Sequence, residues 1–426
     1  MLEIGCGKGE LLASVNPREG IGVDQSGEMI RRATEKFPHI QFLHSRGEDV
    51  QLEGTFDVII LSDLLNNVWD VQEFLSQMRQ YCNDSTRIVI NAYSRLWQPC
   101  LNLVRKVGLA APMLPQSWLT VDDLKNLLSL EEFDVVQSSS EIILPVKIPL
   151  VSYLANRYFA KIFPFNFLCL TNVLVVRKKP ALDTLPEDPR VSVIVAARNE
   201  EGNIASIFSR TPDMGRGTEL IFVEGGSTDD TFETIKKEIE NNPRKRAFAY
   251  QQSGNGKGDA VRLGFSKASG DILMILDADM TVPPENLPLF FNALVTGKGE
   301  FINGVRLVYP MESEAMRFFN LLGNKFFSLA FSWLLGQPIK DTLCGTKVLT
   351  NENYKKIAVN RSYFGEFDPF GDFDLIFGAA KQNLKIVDLP IRYRDRHYGE
   401  TNISRWRHGV LLLRMVMFAA SKIKFY

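Results

Sequence analysis

Ile272-Leu273-Met274-Ile275-Leu276-Asp277-Ala278-Asp279 decides how the second half of this chain is read. Its unbroken apolar run predicts a strand buried on both faces. Such a strand aims Asp277 and Asp279, one residue apart, into the space beyond its end. Paired carboxylate oxygens suit Mg²⁺ or Mn²⁺, which hold a diphosphate and neutralise charge on a leaving group. An isolated D-x-D is usually a solvated loop, but here it follows a buried strand and precedes Pro283-Pro284-Glu285. Outward from it, Val191–Glu201 (VSVIVAARNEE) reads as a strand entering a polar turn. Glu219–Thr231 (ELIFVEGGSTDDT) is a strand ending on Glu224, whose carboxylate can read a ribose or base edge. Gly254–Gly264 (GNGKGDAVRLG) brings flexible glycines and Lys257 to a phosphate. Ala247–Gln251 and Glu300–Val305 add two more strands, and the alternation with helices predicts a mostly parallel sheet.

The first half opens on Leu2-Glu3-Ile4-Gly5-Cys6-Gly7-Lys8-Gly9-Glu10-Leu11-Leu12, a strand end, a glycine run and a helix. The glycines permit a tight turn and a close ligand approach, and the helix start behind them favours an anionic group. Asp24 ends the next strand, Gly20–Asp24, where a carboxylate can accept from ribose hydroxyls. Further strands are expected at Phe56–Leu61, Arg87–Asn91 and Val173–Val176, with helices at Gly27–Lys36 and Val71–Tyr81. Residues 177–190 (RKKPALDTLPEDPR) have the composition of a linker. The expected division is therefore 1–176, the linker, 191–405, and a basic amphipathic segment over 406–426.

Composition narrows the class. The 426 residues are 45% hydrophobic and 23% charged, a globular balance. The net charge of −1 argues against a nucleic-acid partner. Five scattered cysteines without a C-x-x-C pair read as reduced cytosolic thiols, and four histidines make a histidine-rich metal centre improbable. The first residues lack signal-peptide character, and no long uncharged apolar run predicts a spanning helix.

The first half resembles the class I S-adenosylmethionine-dependent methyltransferases, which have a Rossmann-like α/β fold. Glu3, Gly5, Gly7 and Gly9 match the family's first motif, and Asp24 its ribose-binding acid. Ser45–Val50 (SRGEDV) lies where adenine is met; Arg46 stands where an acid is common, which leaves Glu48 and Asp49 as cofactor contacts. Phe56–Asp63 matches the fourth strand, whose end faces the methyl acceptor. S-adenosylmethionine is the implied cofactor. Members normally carry a helix and more of the first strand upstream, so the resemblance implies an N-terminally shortened domain with one wall of the cofactor pocket missing.

The second half, by the order of its motifs, resembles glycosyltransferase family 2, of the GT-A fold, and within it the polyprenyl- or dolichol-phosphate mannosyltransferases. Against the common P-x-Y-N-E, this chain has Ala196, Ala197, Arg198, Asn199 and Glu200; against V-D-D-G-S, it has Glu224 and Gly225 at the acids. The resemblance makes Ala196, Arg198, Glu200, Glu224, Lys257, Asp277 and Ala278 nucleotide-sugar contacts, and Asp277 and Asp279 metal ligands. Thr281 replaces a glutamine that often joins the metal shell. Gly304-Val305-Arg306 matches G-x-R, Asp341–Gly345 matches D-x-x-x-G, and Asp372 and Asp374 fall where relatives carry a helical acid. Leu389–Ile403 matches P-I-x-x-x-x-D-R-x-x-G-E-S-K-L, with Asn402 in place of the lysine and Arg405 and Arg407 downstream as substitutes.

The implied reaction is a metal-dependent, inverting transfer from a nucleotide-sugar of the GDP-mannose or UDP-glucose type. A polyprenyl phosphate acceptor is already anionic and needs only cations to hold it in line, here Arg306 and Arg396. A hydroxyl acceptor would need a base, for which Asp341, Asp372 and Asp374 are candidates. That alternative has a saccharide or lipid hydroxyl as acceptor and a scaffolding first domain. Asp279, Arg306, Arg396 and Asp374 are thus the expected catalytic set. Phe318–Leu335 carries Asn320, Asn324, Ser328 and Ser332 at every fourth place, a narrow polar stripe on an aromatic helix. Such a helix lies either in a bilayer interface or in a core. Residues 392–426 hold eight Lys/Arg against two Asp/Glu, a local charge of +6 that favours an anionic membrane surface. A cytoplasmic protein peripherally bound to a membrane is expected.

Overall fold

The structure, a computed structural model, describes residues 1–108, 117–180, 188–306, 318–361, 371–392, 394, 398 and 405–425, without the side chains of 318–322, 324, 372 and 405–409. Arg396, Asn402 and the side chains of Asp372, Arg405 and Arg407 lie outside the described residues. The chain divides into two compact units meeting near residue 180.

The first unit holds β1 (Leu2–Ile4), β2 (Ile21–Asp24), β3 (Gln41–His44), β4 (Val58–Ser62), β5 (Arg87–Tyr93), β6 (Phe133–Glu141) and β7 (Thr171–Lys178). They form one sheet in the order β3-β2-β1-β4-β5-β7-β6. Five strands are parallel, and β7 runs antiparallel to both β5 and β6. β1 is central and buried throughout, so three residues suffice: its neighbours on both sides supply the ladder. β7 extends to Lys178, into the stretch expected as linker. The helix expected over Val71–Tyr81 ends at Met78 and tightens to a 3₁₀ turn, which buries Tyr81 with its hydroxyl donating to Val50 O at 2.8 Å. β3 and β6 carry no clear period in sequence, the first being four residues long and the second rich in serine.

The second unit holds β8 (Val191–Ala197), β9 (Thr218–Glu224), β10 (Arg246–Gln251), β11 (Ile272–Asp277), β12 (Phe301–Val305), β13 (Lys347–Thr350) and β14 (Ile386–Pro390). Their order is β10-β9-β8-β11-β13-β12-β14, with β13 antiparallel to its neighbours. As the apolar run implied, residues 272–276 are all buried, with Ile272, Met274 and Leu276 in a core with Val193, Val195, Phe222 and Phe290. Both sheets thus place a central strand, β1 or β8, between two parallel neighbours whose connections lead to opposite sides, the place where α/β sheets open a crevice for ligands.

The helix Phe318–Leu335 is buried toward its C-terminal end and exposed before it. Phe331, Leu334 and Leu335 are buried, Phe331 stacking on Phe377 at 5.3 Å, whereas Phe326 and Leu329 are exposed. Ser328 and Ser332 turn inward and donate to Ile339 O at 2.6 and 3.0 Å. The helix Arg405–Ile423 buries Leu412, Met415 and Ala419 and exposes Val410, Leu413 and Met417. Among the described residues no helix is long and apolar enough to cross a membrane.

The helix Lys257–Lys267 lies so close to β8 that a Cβ on Gly264 would sit 2.5 Å from Ile194 Cγ2. Gly264→Ala should push the helix off the sheet, lowering unfolding free energy by about 1–3 kcal/mol and displacing Lys257. Urea denaturation measures the first effect and nucleotide affinity the second.

Candidate active sites

Parallel pairing gathers the site of the second unit. β11 aligns Asp277 with Ala196 of β8, and β8 aligns Ala197 with Glu224 of β9. Three strand ends therefore meet at one edge. The helix Lys257–Lys267 starts there, and its Lys257 Nζ lies 2.5 Å from Asp277 Oδ1. Burial pushes the Asp277 carboxyl up, but Lys257, with Lys347 and Arg306, more than offsets it and holds the group below the usual carboxylate range. Lys347 is fully buried and donates to Cys344 O. Gly345 passes so near the Asp277–Lys257 pair that a Cβ at that position would displace the two charged groups. Asp279 accepts from the Thr281 N–H at 3.1 Å and hydroxyl at 2.8 Å. Thr281 thus orients Asp279. Ala278 is buried and offers a ligand only its backbone.

The flanking turns are fixed by short-range bonds. Asn199 adopts φ 56°, and its side-chain oxygen accepts from Thr228 N–H at 2.8 Å, while its own N–H donates to Ser227 Oγ at 3.0 Å. Two loops that the sequence reads separately are locked together by this residue. Glu200 is buried; its carboxylate accepts from Asn203 Nδ2 at 2.7 Å, so it braces the turn. Glu224 accepts from Ser227 N–H and from Gln251 Nε2 at 3.4 Å. Arg198 is exposed at the edge. Arg394 N–H donates to Thr281 O at 3.0 Å, and the Tyr398 ring covers Gly202, so these two residues lie against this edge.

Arg306 and Asp341 make the strongest contact nearby. Arg306 Nε and Nη2 donate to Asp341 Oδ2 and Oδ1 at 2.7 and 2.8 Å, and the Arg306 and Leu343 backbone N–H groups donate to the same carboxylate. Asp341 is fully buried; burial pushes its carboxyl up and Arg306 brings it below the usual range. Every charge-assisted bond that Asp341 makes favours its ionised form. Asp374 likewise faces cations, Arg262 at 3.6 Å and Arg361 at 3.5 Å, beside a cavity of about 120 Å³. It sits on the helix Asp372–Lys381, facing Arg262 in the middle of the helix that begins at Lys257, and Gly371 just before that helix packs on Gly258.

In the first unit, Gly5, Gly7 and Gly9 all have positive φ (78°, 52° and 70°), the left-handed backbone that the turn requires. A Cβ at Gly7 would meet nothing, so space lies open over the loop; one at Gly9 would strike the Phe42 ring at 2.5 Å. Asp24 accepts from Gly7 N–H and Ser26 N–H, each at 2.8 Å, and so joins the loop to the next helix. Glu3 differs from the expectation. It is buried beneath the loop and accepts from Leu12 N–H at 3.0 Å, supporting the turn from below. Burial, with Asp24 nearby, pushes its carboxyl up from the ordinary 4.5 to about 7. Glu48 is half-buried and Asp49 exposed, in a turn closed by Asp49 N–H to Arg46 O. A grouping not read from sequence stands at the end of β4: Asp63 accepts from Asn91 Nδ2 at 2.9 Å and Tyr93 hydroxyl at 3.3 Å. Its signal was Asp63 after a strand; its partners come from β5 and could not be paired with it by spacing.

Two outcomes follow. Arg306→Met should leave Asp341 buried without its counter-charge and cost about 3–5 kcal/mol, much of it recovered in the double variant with Asp341→Leu. Chemical denaturation of the three variants tests this. Glu3 keeps its proton in the folded state up to about pH 7, while the unfolded chain releases it near 4.5. The folded state binds more protons in that window, so stability of the first unit falls as pH rises across it. Glu3→Gln should flatten this slope in denaturation curves taken from pH 4.5 to 7.

Comparison with known proteins agrees with both geometries. Residues 192–353 match Glycosyl transferase family 2, and residues 1–138 match a methyltransferase domain. The chain is 28% identical to Glycosyltransferase AglJ of Haloferax volcanii, over 54% of this chain and 71% of that protein. It is 29% identical to Dolichol-phosphate mannosyltransferase of Pyrococcus furiosus, over 50% and 59% of the two chains. It is 33% identical to Undecaprenyl-phosphate 4-deoxy-4-formamido-L-arabinose transferase of Edwardsiella ictaluri, over 54% and 66%. The chain thus spans only part of the length of each relative. With strand order, edge carboxylates and family match in agreement, the second unit is a family 2 glycosyltransferase of GT-A fold, preceded by a Rossmann-like methyltransferase domain.

Proposed function

We propose that the second unit moves a sugar from a nucleotide-sugar to a membrane polyprenyl phosphate, inverting the anomeric centre. The observation that carries this choice of acceptor is the state of the acids. Asp341 is held in its ionised form by two charge-assisted bonds from Arg306, which argues against it as the base for a hydroxyl, and Asp374 lies 3.6 and 3.5 Å from Arg262 and Arg361. A monophosphate acceptor needs no base at neutral pH. The names of the Pyrococcus and Edwardsiella relatives, which specify dolichol phosphate and undecaprenyl phosphate, support the same class.

The residues present fit a divalent cation. Asp277 is held ionised and Asp279 is oriented by Thr281. Among the described residues no third acid, histidine or cysteine joins them. Mg²⁺ commonly takes one or two carboxylates and leaves its other positions to phosphates and water, which suits this donor set. When bound, the metal would stabilise charge on the departing nucleoside diphosphate. Lys257, which pairs with Asp277, is placed to turn to a phosphate oxygen. Glu224 and the Asn199 turn would read the nucleoside. Arg306, stiffened by Asp341, would hold the acceptor phosphate together with Arg396, and Arg198 and Ala196 would border the base.

For the first unit we propose S-adenosylmethionine binding over the open Gly7, with Asp24 accepting from the ribose and Glu48 or Asp49 near the adenine. The partial exposure of the helix Phe318–Leu335 and the apolar outer face of Arg405–Ile423 are consistent with peripheral membrane attachment.

The test is label transfer from GDP-mannose and from UDP-glucose, separately, into polyprenyl phosphate with Mg²⁺ or Mn²⁺. Asp279→Ala should lower lipid-linked label by about 10²–10³-fold. Metal chelation should do the same. No label from either donor, by folded protein that binds nucleotide, overturns the lipid-phosphate acceptor for these donors. Loss of activity in Asp374→Asn, with nucleotide binding intact, would favour a hydroxyl acceptor instead.

A further inference from the structure

The first unit carries an exposed apolar surface that its glycine loop does not use. β6 ends at Glu141 and β7 begins at Thr171, and these two residues pair directly. The excursion between them, residues 142–170, is IILPVKIPLVSYLANRYFAKIFPFNFLCL. Most of its large side chains face outward: Phe163 is 73% exposed, Leu150 69%, Phe167 65% and Tyr153 52%. A second stretch, residues 95–108, joins it. Trp97 Nε1–H donates to Leu168 O at 2.9 Å, and Ser94 N–H donates to Leu170 O at 2.7 Å. In that stretch Leu103 is 63% exposed. Soluble monomers rarely leave so much large apolar side chain in one place without a partner.

Charge tells which partner. Residues 142–170 carry Lys147, Arg157 and Lys161 and no acid; residues 95–108 carry Arg95, Arg105 and Lys106 and no acid. Lys161 is taken by Glu141, just outside the excursion. Arg157 lies over the Tyr153 ring, 5.3 Å from its centroid, as an amphipathic side chain does at a polar boundary. Exposed aromatics and leucines set among cations without a single anion are complementary to an anionic bilayer surface, which takes apolar groups at its acyl boundary and cations at its headgroups. The helix within the excursion, Val151–Arg157, has 7 residues and cannot cross a bilayer. A protein partner would have to bring acids to each cation around an apolar centre.

We propose that residues 95–108 and 142–170 form a membrane-docking surface that seats the first unit on an anionic lipid bilayer. It emerges at the Tyr93 end of β5, the same edge of the sheet that carries Ser62 and Asp24, because β5, β4, β1 and β2 are parallel. The proposal stands apart from the sugar-transfer reading, since it rests on the first unit alone.

The experiment is co-sedimentation of the full chain with phosphatidylcholine vesicles, with and without phosphatidylglycerol, in the absence of any sugar donor. Wild type should bind the anionic vesicles, less so as salt rises. Phe163→Glu with Phe167→Glu should weaken that binding by about tenfold or more. Both side chains are exposed, so circular dichroism and the denaturation midpoint should be unchanged. Val359→Glu, a substitution at another exposed apolar residue in the second unit, should bind as wild type does. Three results overturn the proposal: no vesicle binding by wild type; undiminished binding by the double variant; or a wild-type oligomer, seen by analytical ultracentrifugation, that the double variant dissolves, which would make the surface a protein contact.

Discussion

Asp277 stands ionised at the end of a strand whose preceding residues are all buried, and a carboxylate there is tolerable only because a cation meets it. Lys257 is that cation, and the rest of the second unit is arranged around delivering it. Its helix must start at the same sheet edge, which requires Gly264 against Ile194. A Cβ at Gly345 would displace that ion pair, which lies directly beside it. A pair built this way is poised for exchange: a divalent ion and a diphosphate together offer each partner a replacement of the proper sign.

The molecule handles buried carboxylates in two further ways, and the contrast explains which groups remain available for chemistry. Asp341 is neutralised by a bidentate guanidinium and two backbone N–H groups, an arrangement that fixes geometry and leaves no proton-accepting role. Glu3 has one backbone donor and no cation in contact, so burial wins and its proton is retained to about pH 7. Neither is solvent-facing, and both hold loops in place. Asp277 and Asp279, at the open edge of the sheet, keep the partial exposure a ligand needs.

The two units share one topological device. In each, a central strand is flanked by parallel neighbours, and the functional loops gather where the strands end. They differ in what covers the rest. The second unit turns Ser328 and Ser332 of its aromatic helix inward, onto the Ile339 carbonyl, and leaves Phe326 and Leu329 exposed. The first unit presents a whole excursion between β6 and β7 with an apolar outer face and cations alone among its charges.

Periodicity and local order are properties of the chain itself. The apolar runs of β8, β9 and β11, the glycine loop, Asp24 and the D-x-D were therefore legible in the sequence, along with the two fold classes. What a side chain faces across the sheet is a different matter, because it depends on which strands become neighbours. Glu3 carries a motif letter in sequence, yet only the short path from β1 to Leu12 turns it under the loop. Asp341 and Arg306 lie 35 positions apart, and Asp63 and Tyr93 30 apart; no spacing rule pairs them. The short and serine-rich strands β3 and β6, and the antiparallel β13, lacked a period because their neighbours stabilise them. Local sequence determined which elements form and where chemistry could sit. Tertiary structure alone decided which carboxylates are free, since ionisation and access are set by burial and counter-charge brought from distant parts of the chain.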